Sequence, residues 1–192
     1  MRGAFAGDLA RMLGGVGSSW RSRAAFLLFN SELHCVACYR FGRFTRRMRV
    51  RHPLAALPLV VAHRLWNRRC THQHQCDIHR EAVIGPGLLI MHRGGITVGP
   101  ARIGPNCTLY QNVTIGMRVA QNDQGVPRIG RNVWIGPGAT ISGDVTIGDG
   151  VTISAGTVLT RDVPSRCLVA GNPGRVIAQD YDNSAMVNAL DS

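Results

Sequence analysis

The amino-acid sequence predicts a mainly β fold, a parallel β-helix in which the chain winds around three short flat faces in every turn. The main observation is a run of branched apolar residues at a spacing of six, which comprises Ile129, Ile135, Ile141, Ile147, Ile153 and Leu159. Residues of the same kind occur earlier, at Ile84, Ile90, Ile103, Leu109 and Ile115. A period of six fits neither an amphipathic helix nor an alternating strand, but it fits a solenoid with about eighteen residues per coil.

The coils of this solenoid are expected at residues 77–101, 102–117, 127–146 and 147–164. The branched side chains point inward, and their stacking from coil to coil forms the core. The six-residue phase breaks between Ile115 and Ile129. The polar segment 117–127 is therefore predicted to be a loop that leaves the solenoid, and such loops often carry function.

The residues before the solenoid are expected to form a short α-helical segment. Apolar residues recur at helical spacing over residues 22–49, and a second helix is expected over 54–69, after the break at His52 and Pro53. Residues 1–20 are expected to be poorly ordered, because the run 14–19 is rich in Gly and Ser.

Three regions follow from these patterns. Residues 1–76 form the helical segment, residues 77–176 the solenoid, and residues 177–192 a polar tail. The net charge of +11 belongs to the first region, which has thirteen Arg against two acids, whereas residues 77–192 have nine Arg and nine acids.

A basic segment suggests a nucleic acid, an anionic membrane surface or an acidic partner. No zinc-finger spacing or RNA-binding aromatic motif accompanies the arginines, so no nucleic acid is expected. Apolar runs at residues 26–29 and 54–65 alternate with the arginines, which favours an anionic membrane surface. A helical cap whose arginines face solvent or a sister subunit explains the pattern equally well.

No apolar run is long enough to cross a bilayer, and residues 3–19 lack the apolar centre of a signal peptide. A cytoplasmic protein is expected, with peripheral association at the inner membrane face as the alternative raised by the basic segment. The six cysteines are then free thiols, and Cys35 and Cys38 are two core thiols of a helix. No metal is expected, because the histidines and cysteines at residues 72–79 lack the paired spacing of zinc ligands.

One pair of residues suggests catalysis. Asp77 and His92 are fifteen residues apart, close to the length of one coil, so they are predicted to lie side by side on adjacent coils. A carboxylate beside an imidazole orients the ring and stabilises its protonated form. From the spacing alone, a surface histidine near an unrelated aspartate is the interpretation that the pattern favours.

Several motifs in order make residues 77–176 resemble serine acetyltransferases and their relatives among the hexapeptide-repeat acyltransferases. They are Asp77-Ile78-His79, Ile84-Gly85-Pro86-Gly87, His92 with Gly95, the segment 109–116, Ile153-Ser154-Ala155-Gly156 and the segment 170–175. The resemblance implies a left-handed parallel β-helix, a homotrimer or a dimer of trimers, and acetyl-CoA as the acetyl donor. It makes His92 the general base and Asp77 its partner.

The sequence departs from serine acetyltransferases at two places that select the acceptor. Those enzymes have an Asp immediately before the catalytic His, where this chain has Met91. They have an Arg-His pair at the end of the loop, where this chain has Gly125 and Val126. Because serine carries an ammonium and a carboxylate, it needs partners of both signs, and serine recognition is expected to be lost.

The short basic N-terminal segment resembles instead the exopolysaccharide acetyltransferases of the colanic-acid type. Transfer of an acetyl group to a hydroxyl of a sugar or an exopolysaccharide precursor is therefore expected. Serine O-acetylation for cysteine biosynthesis is the first alternative, and a non-catalytic β-helix scaffold is the second.

In the expected reaction, His92 takes a proton from the acceptor hydroxyl as its oxygen attacks the thioester. By their position in the fold, the residues expected to bind acetyl-CoA are Gly116, Gly136, Ala155, Arg161 and Arg175. The residues expected to contact the acceptor are Met91, Arg93 and Gln111.

Overall fold

The computed structural model describes residues 2–17, 19–117 and 125–187. Four helices come first: α1 (Arg2–Leu13), α2 (Trp20–Phe29), α3 (Ser31–Arg51) and α4 (Leu57–His74). Short strands follow, named β1 (Cys76–Ile78), β2 (Val83–Ile84), β3 (Leu89–Met91), β4 (Ile96–Val98), β5 (Arg102–Ile103), β6 (Thr108–Tyr110), β7 (Thr114–Gly116), β8 (Arg128–Ile129), β9 (Trp134–Ile135), β10 (Thr140–Ser142), β11 (Thr146–Ile147), β12 (Thr152–Ile153), β13 (Val158–Leu159), β14 (Leu168–Ala170) and β15 (Arg175–Ala178). A last short helix is α5 (Ser184–Val187).

The strands form three sheets, one on each face of a solenoid. Face A has the order β1-β4-β7-β10-β13, face B has β2-β5-β8-β11, and face C has β3-β6-β9-β12-β14, to which β15 adds an antiparallel edge. All other pairings are parallel. The predicted mainly β parallel solenoid behind a helical segment is thus confirmed.

The described residues form five coils, and the predicted division into four was wrong. The first predicted coil, 77–101, contains most of β1 and all of β2 to β4, so it extends into the second coil. The last coil continues past residue 164, because Val163 bridges to Ile147 and β14 completes the turn. The apolar residues of this last coil, Leu159 and Val163, are no longer six apart.

The core is a set of three ladders of buried aliphatic side chains. On face B, Ile84, Ile103, Ile129 and Ile147 are paired in register through consecutive coils. Face C aligns Ile90, Leu109, Ile135, Ile153 and Val169 in the same way, and face A aligns Val98, Ile115, Ile141 and Leu159. These residues are at most 6% exposed, so the six-residue period marks the inward positions as predicted.

Glycine is required where corners of adjacent coils touch. Gly104 follows β5, and its N–H donates to the carbonyl of Ile129 in the next coil at 2.8 Å. A Cβ on Gly104 would lie only 2.6 Å from the carbonyl carbon of Gly130. Because backbone atoms stand in the way, the coils would have to separate to admit a side chain.

We expect Gly104→Ala to lower the free energy of unfolding by about 1–3 kcal/mol, the usual cost of overpacking. Urea denaturation followed by circular dichroism measures this loss. Gly116→Ala is the control, because a Cβ on Gly116 would meet nothing within 4 Å. Equal stability of the two variants would show that the corners can separate without cost.

The N-terminal helices differ from the sequence prediction. Residues 2–13 form α1, where poor order was expected, although the chain does turn after Leu13. The predicted helix 22–49 is two helices, because Asn30 caps α3 by accepting from the Leu33 N–H at 2.7 Å. The predicted helix 54–69 begins at Leu57 and continues to His74.

The helices cover the open end of the first coil. Asp8 of α1 is fully buried, where it pairs with Arg40 of α3 at 2.7 Å and accepts from the Leu88 N–H at 2.8 Å. Arg40 also donates to the carbonyls of Ile84 and Gly85, at 2.7 and 2.6 Å. These contacts satisfy backbone groups that the terminal coil would otherwise expose, which protects the edge of the solenoid.

Tyr39 and Arg11 extend this cover. The Tyr39 hydroxyl donates to the Ala82 carbonyl at 2.8 Å and accepts from the Ile84 N–H at 3.1 Å. Arg11 donates to the carbonyls of Gly87 and Cys107, at 2.7 and 3.1 Å. Residues 8, 11, 39 and 40 therefore attach α1 and α3 to the first two coils through hydrogen bonds and charge rather than through apolar packing alone.

Asp8→Ala should destabilise the protein by about 3–5 kcal/mol, because it leaves the Arg40 guanidinium largely buried and without its carboxylate. Arg46→Gln is the matched control, since the Arg46–Glu81 pair is about half exposed on both sides and such pairs contribute about 1 kcal/mol or less. Guanidinium denaturation of the two variants compares them. A loss for Asp8→Ala no greater than for the control would contradict the proposed attachment.

The remaining connections bear on the sequence predictions as follows. The loop predicted at 117–127 joins β7 to β8, and its residues 118–124 lie outside the described residues. Cys35 and Cys38 belong to the buried core, as predicted, and all six cysteines are buried free thiols. Burial raises the pKa of Cys107 to about 12.

No helix within the described residues is both long and apolar enough to cross a membrane.

Candidate active site

His92 stands on the one corner of the solenoid that is lengthened between faces C and A. Six residues join Ile90 to Thr97, whereas four residues join the aligned positions in each of the next three coils. The extra residues form a bulge in which His92 has a φ of +54°, Gly94 of +134° and Gly95 of +64°. A left-handed backbone at a histidine is uncommon, and the side chain of His92 is exposed here.

A small cavity adjoins this corner. Its volume is about 260 Å³, and it lies between β3 with His92 on one side and the N-terminal helices on the other. Most of its lining is apolar and comprises Met12, Val16, Phe26, Leu89, Ile90 and Met91. Glu32, in the first turn of α3, is the acidic side chain that lines the cavity. The helical segment is therefore part of the candidate site, not only a cover for the solenoid.

Glu32 and Arg93 provide charges of both signs beside His92. The Arg93 guanidinium lies 3.7 Å from the Glu32 carboxylate. The backbone N–H of Arg93 donates to the same carboxylate at 3.4 Å. The Arg93 Nε donates to Nδ1 of His74 at 3.2 Å, which requires that His74 is neutral at that nitrogen. Burial, together with the nearby Arg93 charge, lowers the pKa of His74.

We expect His74 to titrate below the ordinary histidine pKa of about 6.5 and to titrate higher in Arg93→Gln, because that variant removes a neighbouring positive charge. Proton NMR titration of the His74 ring measures both midpoints. Arg102→Gln, which changes an exposed arginine of face B, is the control and should leave the His74 midpoint in place. A His74 midpoint that is unaffected by Arg93→Gln would show that the two side chains do not interact in solution.

Aromatic rings extend from His92 along face C. The His92 and Tyr110 rings are 5.9 Å apart between centroids, and the Tyr110 and Trp134 rings are 4.9 Å apart. Gln111 follows Tyr110 at the next corner, and its Oε1 is buried without a hydrogen-bond partner among the described residues. A buried acceptor with no partner is costly, so Gln111 is available to accept a hydrogen bond from a bound molecule.

Asp77 lies on β1, where it is exposed and aligned with Thr97 of β4. It belongs to the same coil as β3, which precedes His92, rather than to an adjacent coil. The hydrogen bonds formed by the described residues include none between the Asp77 carboxylate and the His92 ring. The pairing of Asp77 with His92 therefore stays a prediction.

The residues predicted to bind the cofactor fall into two groups. Gly116 ends β7 and Arg161 follows β13, so both lie where face A ends and the loop 117–127 begins. Gly136 and Ala155 lie between faces C and A, on the same edge as His92, and Arg175 begins β15 beyond them. The two groups flank face A from opposite sides.

The space around these glycines differs. A Cβ on Gly116 or on Gly94 would meet nothing within 4 Å, so the backbone there is open to a ligand. A Cβ on Gly136 would lie 2.8 Å from the Ala155 nitrogen and from the Trp134 ring, so Gly136 serves the packing of adjacent coils. In the part of the chain that the structure describes, no cluster of three or more metal-ligating side chains has the geometry to hold a metal ion.

The sequence analysis missed Glu32, His74 and Tyr110. Glu32 could have been placed at a helix start, because Asn30 precedes it as a capping residue. No local signal relates Glu32 to Arg93, which is 61 residues away. Met91, Arg93 and Gln111, the residues predicted to contact the acceptor, do lie at or next to the cavity and the aromatic rings.

The fold and this corner define a hexapeptide-repeat transferase, and comparison with known proteins agrees. Residues 127–161 match the family described as "Bacterial transferase hexapeptide (six repeats)". A serine acetyltransferase of Synechococcus elongatus is 38% identical over 172 residues, which are 89% of this chain and 66% of that protein.

Solved structures of serine acetyltransferases have the same fold over most of this chain. The soybean apoenzyme superposes with a TM-score of 0.74 at 34% identity and covers 92% of this chain and 68% of its own. The Brucella abortus enzyme in complex with coenzyme A has a TM-score of 0.74 at 25% identity and covers 92% and 67%. The chain belongs to the hexapeptide-repeat acyltransferase family and, within it, is similar to serine acetyltransferases.

The chain is shorter than these relatives. It spans between 38% and 66% of the length of the curated serine acetyltransferases that it matches. The curated relatives are serine acetyltransferases, so the comparisons do not support the predicted resemblance to exopolysaccharide acetyltransferases.

Proposed function

We propose that this protein transfers an acetyl group from acetyl-CoA to a hydroxyl and that the acceptor is L-serine. The observation that carries the proposal is the lengthened corner with His92, which faces a small cavity containing one carboxylate. The similarity to serine acetyltransferases supports the choice of serine over the sugar acceptor that the sequence analysis favoured.

His92 acts as the general base of this reaction. Its ring nitrogen takes the proton of the acceptor hydroxyl as the hydroxyl oxygen attacks the carbonyl carbon of the thioester. The tetrahedral intermediate then expels the CoA thiolate, which receives the proton from the imidazolium, so His92 ends in its starting state. The backbone N–H of the open Gly94, on the same corner as His92, stabilises the oxyanion.

Asp77 is proposed as the partner that stabilises the charged His92 ring. The structure holds the two residues at the start and the end of one coil, without a hydrogen bond between them. Both side chains are exposed, and the pair is proposed to form when the acceptor binds. A carboxylate in this role fixes the tautomer of the ring and raises its basicity.

The acetyl-CoA site is proposed along the two edges of face A. The Brucella abortus relative was solved with coenzyme A, which supports a CoA site in this fold. Gly116 provides open backbone, and the orphan Oε1 of Gln111 can accept from a pantetheine amide. Arg161 and Arg175 are exposed cations that fit the CoA phosphates, and Ala155 lies at the exposed corner between faces C and A.

Glu32 and Arg93 are proposed to recognise serine. The sequence lacks the two acceptor-binding features of serine acetyltransferases, since it has Met91, Gly125 and Val126 at those places. Glu32 can bind the serine ammonium and Arg93 its carboxylate, which supplies the missing charges from a different part of the chain. The two side chains are 19% and 40% exposed and 3.7 Å apart, so a zwitterion can replace their mutual contact.

A saccharide hydroxyl is the second candidate acceptor. The observation in its favour is the pair of partly exposed rings, Tyr110 and Trp134, that leads away from His92. Sugar rings pack their C–H faces on aromatic side chains, and two rings in a row offer such a surface. A catalytically silent scaffold is the alternative in which neither acceptor reacts.

The experiment is thiol release from acetyl-CoA with L-serine, homoserine or a panel of mono- and oligosaccharides as acceptor. We expect release with serine, a fall in kcat of about 100-fold or more in His92→Ala, and unchanged thermal stability in that variant. Release with a saccharide alone would replace the proposal by the second candidate. If neither the wild type nor His92→Ala releases thiol with any acceptor, the result would favour the scaffold.

Acceptor recognition is tested separately. Glu32→Gln should raise KM for serine by about tenfold or more and leave KM for acetyl-CoA unchanged, because only the ammonium loses a charged partner. Glu81→Gln is the matched control, since Glu81 is an exposed acid that pairs with Arg46 away from the cavity. Equal KM values for serine in both variants would exclude Glu32 from the acceptor site.

The functional unit is proposed to be a homotrimer or a dimer of trimers, as the resemblance implies. Asp77 and His92 are exposed in the single chain, and a sister subunit packed on face A would enclose them. Water must be excluded from a thioester during transfer, which favours such an enclosed site.

A further inference from the structure

The surface of the α3–α4 hairpin combines exposed apolar side chains with arginines, most of which form no ion pair with an acid among the described residues. Val50 and Leu54 at the hairpin turn are 82% and 87% exposed. On α4, Leu57, Val61 and Leu65 are 63%, 48% and 67% exposed. We call these five residues the hairpin patch.

The hairpin patch includes a continuous stripe along one helix. Leu57, Val61 and Leu65 are four residues apart, so they lie above one another on one side of α4. The opposite side packs inward through the buried Cys70 and the half-buried Trp66. The inner face of α4 is already packed, so the outer stripe is not needed for the core. Contiguous large aliphatic residues are unusual on a solvent-exposed protein surface.

The charge around the hairpin patch is of one sign. Residues 33–76 contain nine Arg and no Asp or Glu. Of these arginines, only Arg40 and Arg46 pair with an acid among the described residues, with Asp8 and Glu81. Arg64 and Arg68 are exposed on α4, at the same helical spacing as the stripe, and form no ion pair in the described part of the chain.

This pattern differs from that of the solenoid. There, the exposed arginines Arg128 and Arg131 pair with Asp144 and Asp149 on the next coil, at 2.9 and 3.0 Å. The arginines of residues 77–192 are balanced by an equal number of acids, whereas residues 33–76 leave their positive charge for an outside partner. A partner with negative charge above an apolar layer satisfies both features at once.

We propose that the hairpin patch and its arginines dock the protein on an anionic lipid bilayer. The aliphatic side chains enter the boundary between headgroups and acyl chains, and α4 lies in the plane of the surface. The arginines extend their apolar stems along the same layer and place their guanidinium groups among the lipid phosphates.

Charge complementarity selects a bilayer over a second copy of this chain. A contact between two copies related by a twofold axis would bring the same arginines together from both sides, and residues 33–76 contain no acid to neutralise them. A bilayer that contains anionic lipid provides the missing negative charge in any orientation of the hairpin. The proposal does not depend on which acceptor the enzyme uses.

Sedimentation of the full chain with vesicles tests the proposal. The vesicles are phosphatidylcholine alone or phosphatidylcholine with phosphatidylglycerol. We expect binding to the anionic vesicles at low salt, weaker binding as salt is added, and little binding to the neutral vesicles. Equal partition to both kinds of vesicle, or no binding to anionic vesicles at low salt, would overturn the proposal.

Two sets of variants separate the apolar and the charged contributions. Leu65→Asp should reduce the partition coefficient by about tenfold or more, while Ile177→Asp, at an apolar residue 60% exposed on β15, should leave it unchanged. Arg64→Gln with Arg68→Gln should reduce it by about fivefold per arginine, since each contributes about 1 kcal/mol near an anionic surface. Arg128→Gln with Arg131→Gln removes the same charge from the solenoid and is the matched control.

An effect in the hairpin variants no larger than in their controls would show that binding is due to net charge alone, which contradicts docking through the patch. Light scattering without lipid gives the remaining outcome. If Leu65→Asp dissociates an oligomer of the wild-type chain and vesicles do not recruit the wild type, the patch is an interface between copies and the proposal is wrong. Circular dichroism verifies that each variant keeps its fold.

Discussion

Each coil of the solenoid depends on the coils above and below it, because its strands of two to four residues cannot form a sheet or a core alone. The register between coils is therefore the constraint on which the structure rests. It brings the inward Ile, Leu and Val residues into three ladders, and it brings corner glycines so close to the next coil that a methyl group has no room at Gly104. A shift of one residue would turn each ladder outward.

The same constraint creates an exposed edge at the first coil, and the N-terminal helices cover it. Asp8, Tyr39 and Arg40 bind backbone groups of the first coil between residues 82 and 88. Once held there, α3 presents Glu32 to the lengthened corner, 3.7 Å from Arg93. The cover of the edge and one wall of the candidate site are thus parts of a single arrangement, and the outer face of α4 remains free for another partner.

The sequence allowed prediction of the solenoid because its period is local and repeated many times. The lengthened corner was also visible in principle, since the inward residues Ile90 and Val98 are eight apart where six is the rule. Other features depend on contacts between distant residues. The order of α1 requires the pairing of Asp8 with Arg40, 32 residues away, and a Gly-rich local sequence does not reveal it.

The candidate site divides in the same way. His92 was identified because a motif marks it, and its place next to Met91, Arg93 and the cavity follows from one corner. Glu32 was missed because it reaches the site from a helix 61 residues earlier. The sequence analysis favoured a sugar as the acceptor because charged residues were missing, whereas the similarity to serine acetyltransferases favours serine. We propose that Glu32 and Arg93 provide the charges that a serine needs.

We propose that the lengthened corner is an insertion that the solenoid does not need in order to fold. Deletion of His92 and Arg93 together is the test, because the corner then has the four residues of the other coils. We expect a folded protein, with a thermal midpoint within a few degrees of wild type, that no longer releases thiol from acetyl-CoA with any acceptor. A deletion variant that retains acetyl transfer, or one that unfolds, would contradict it.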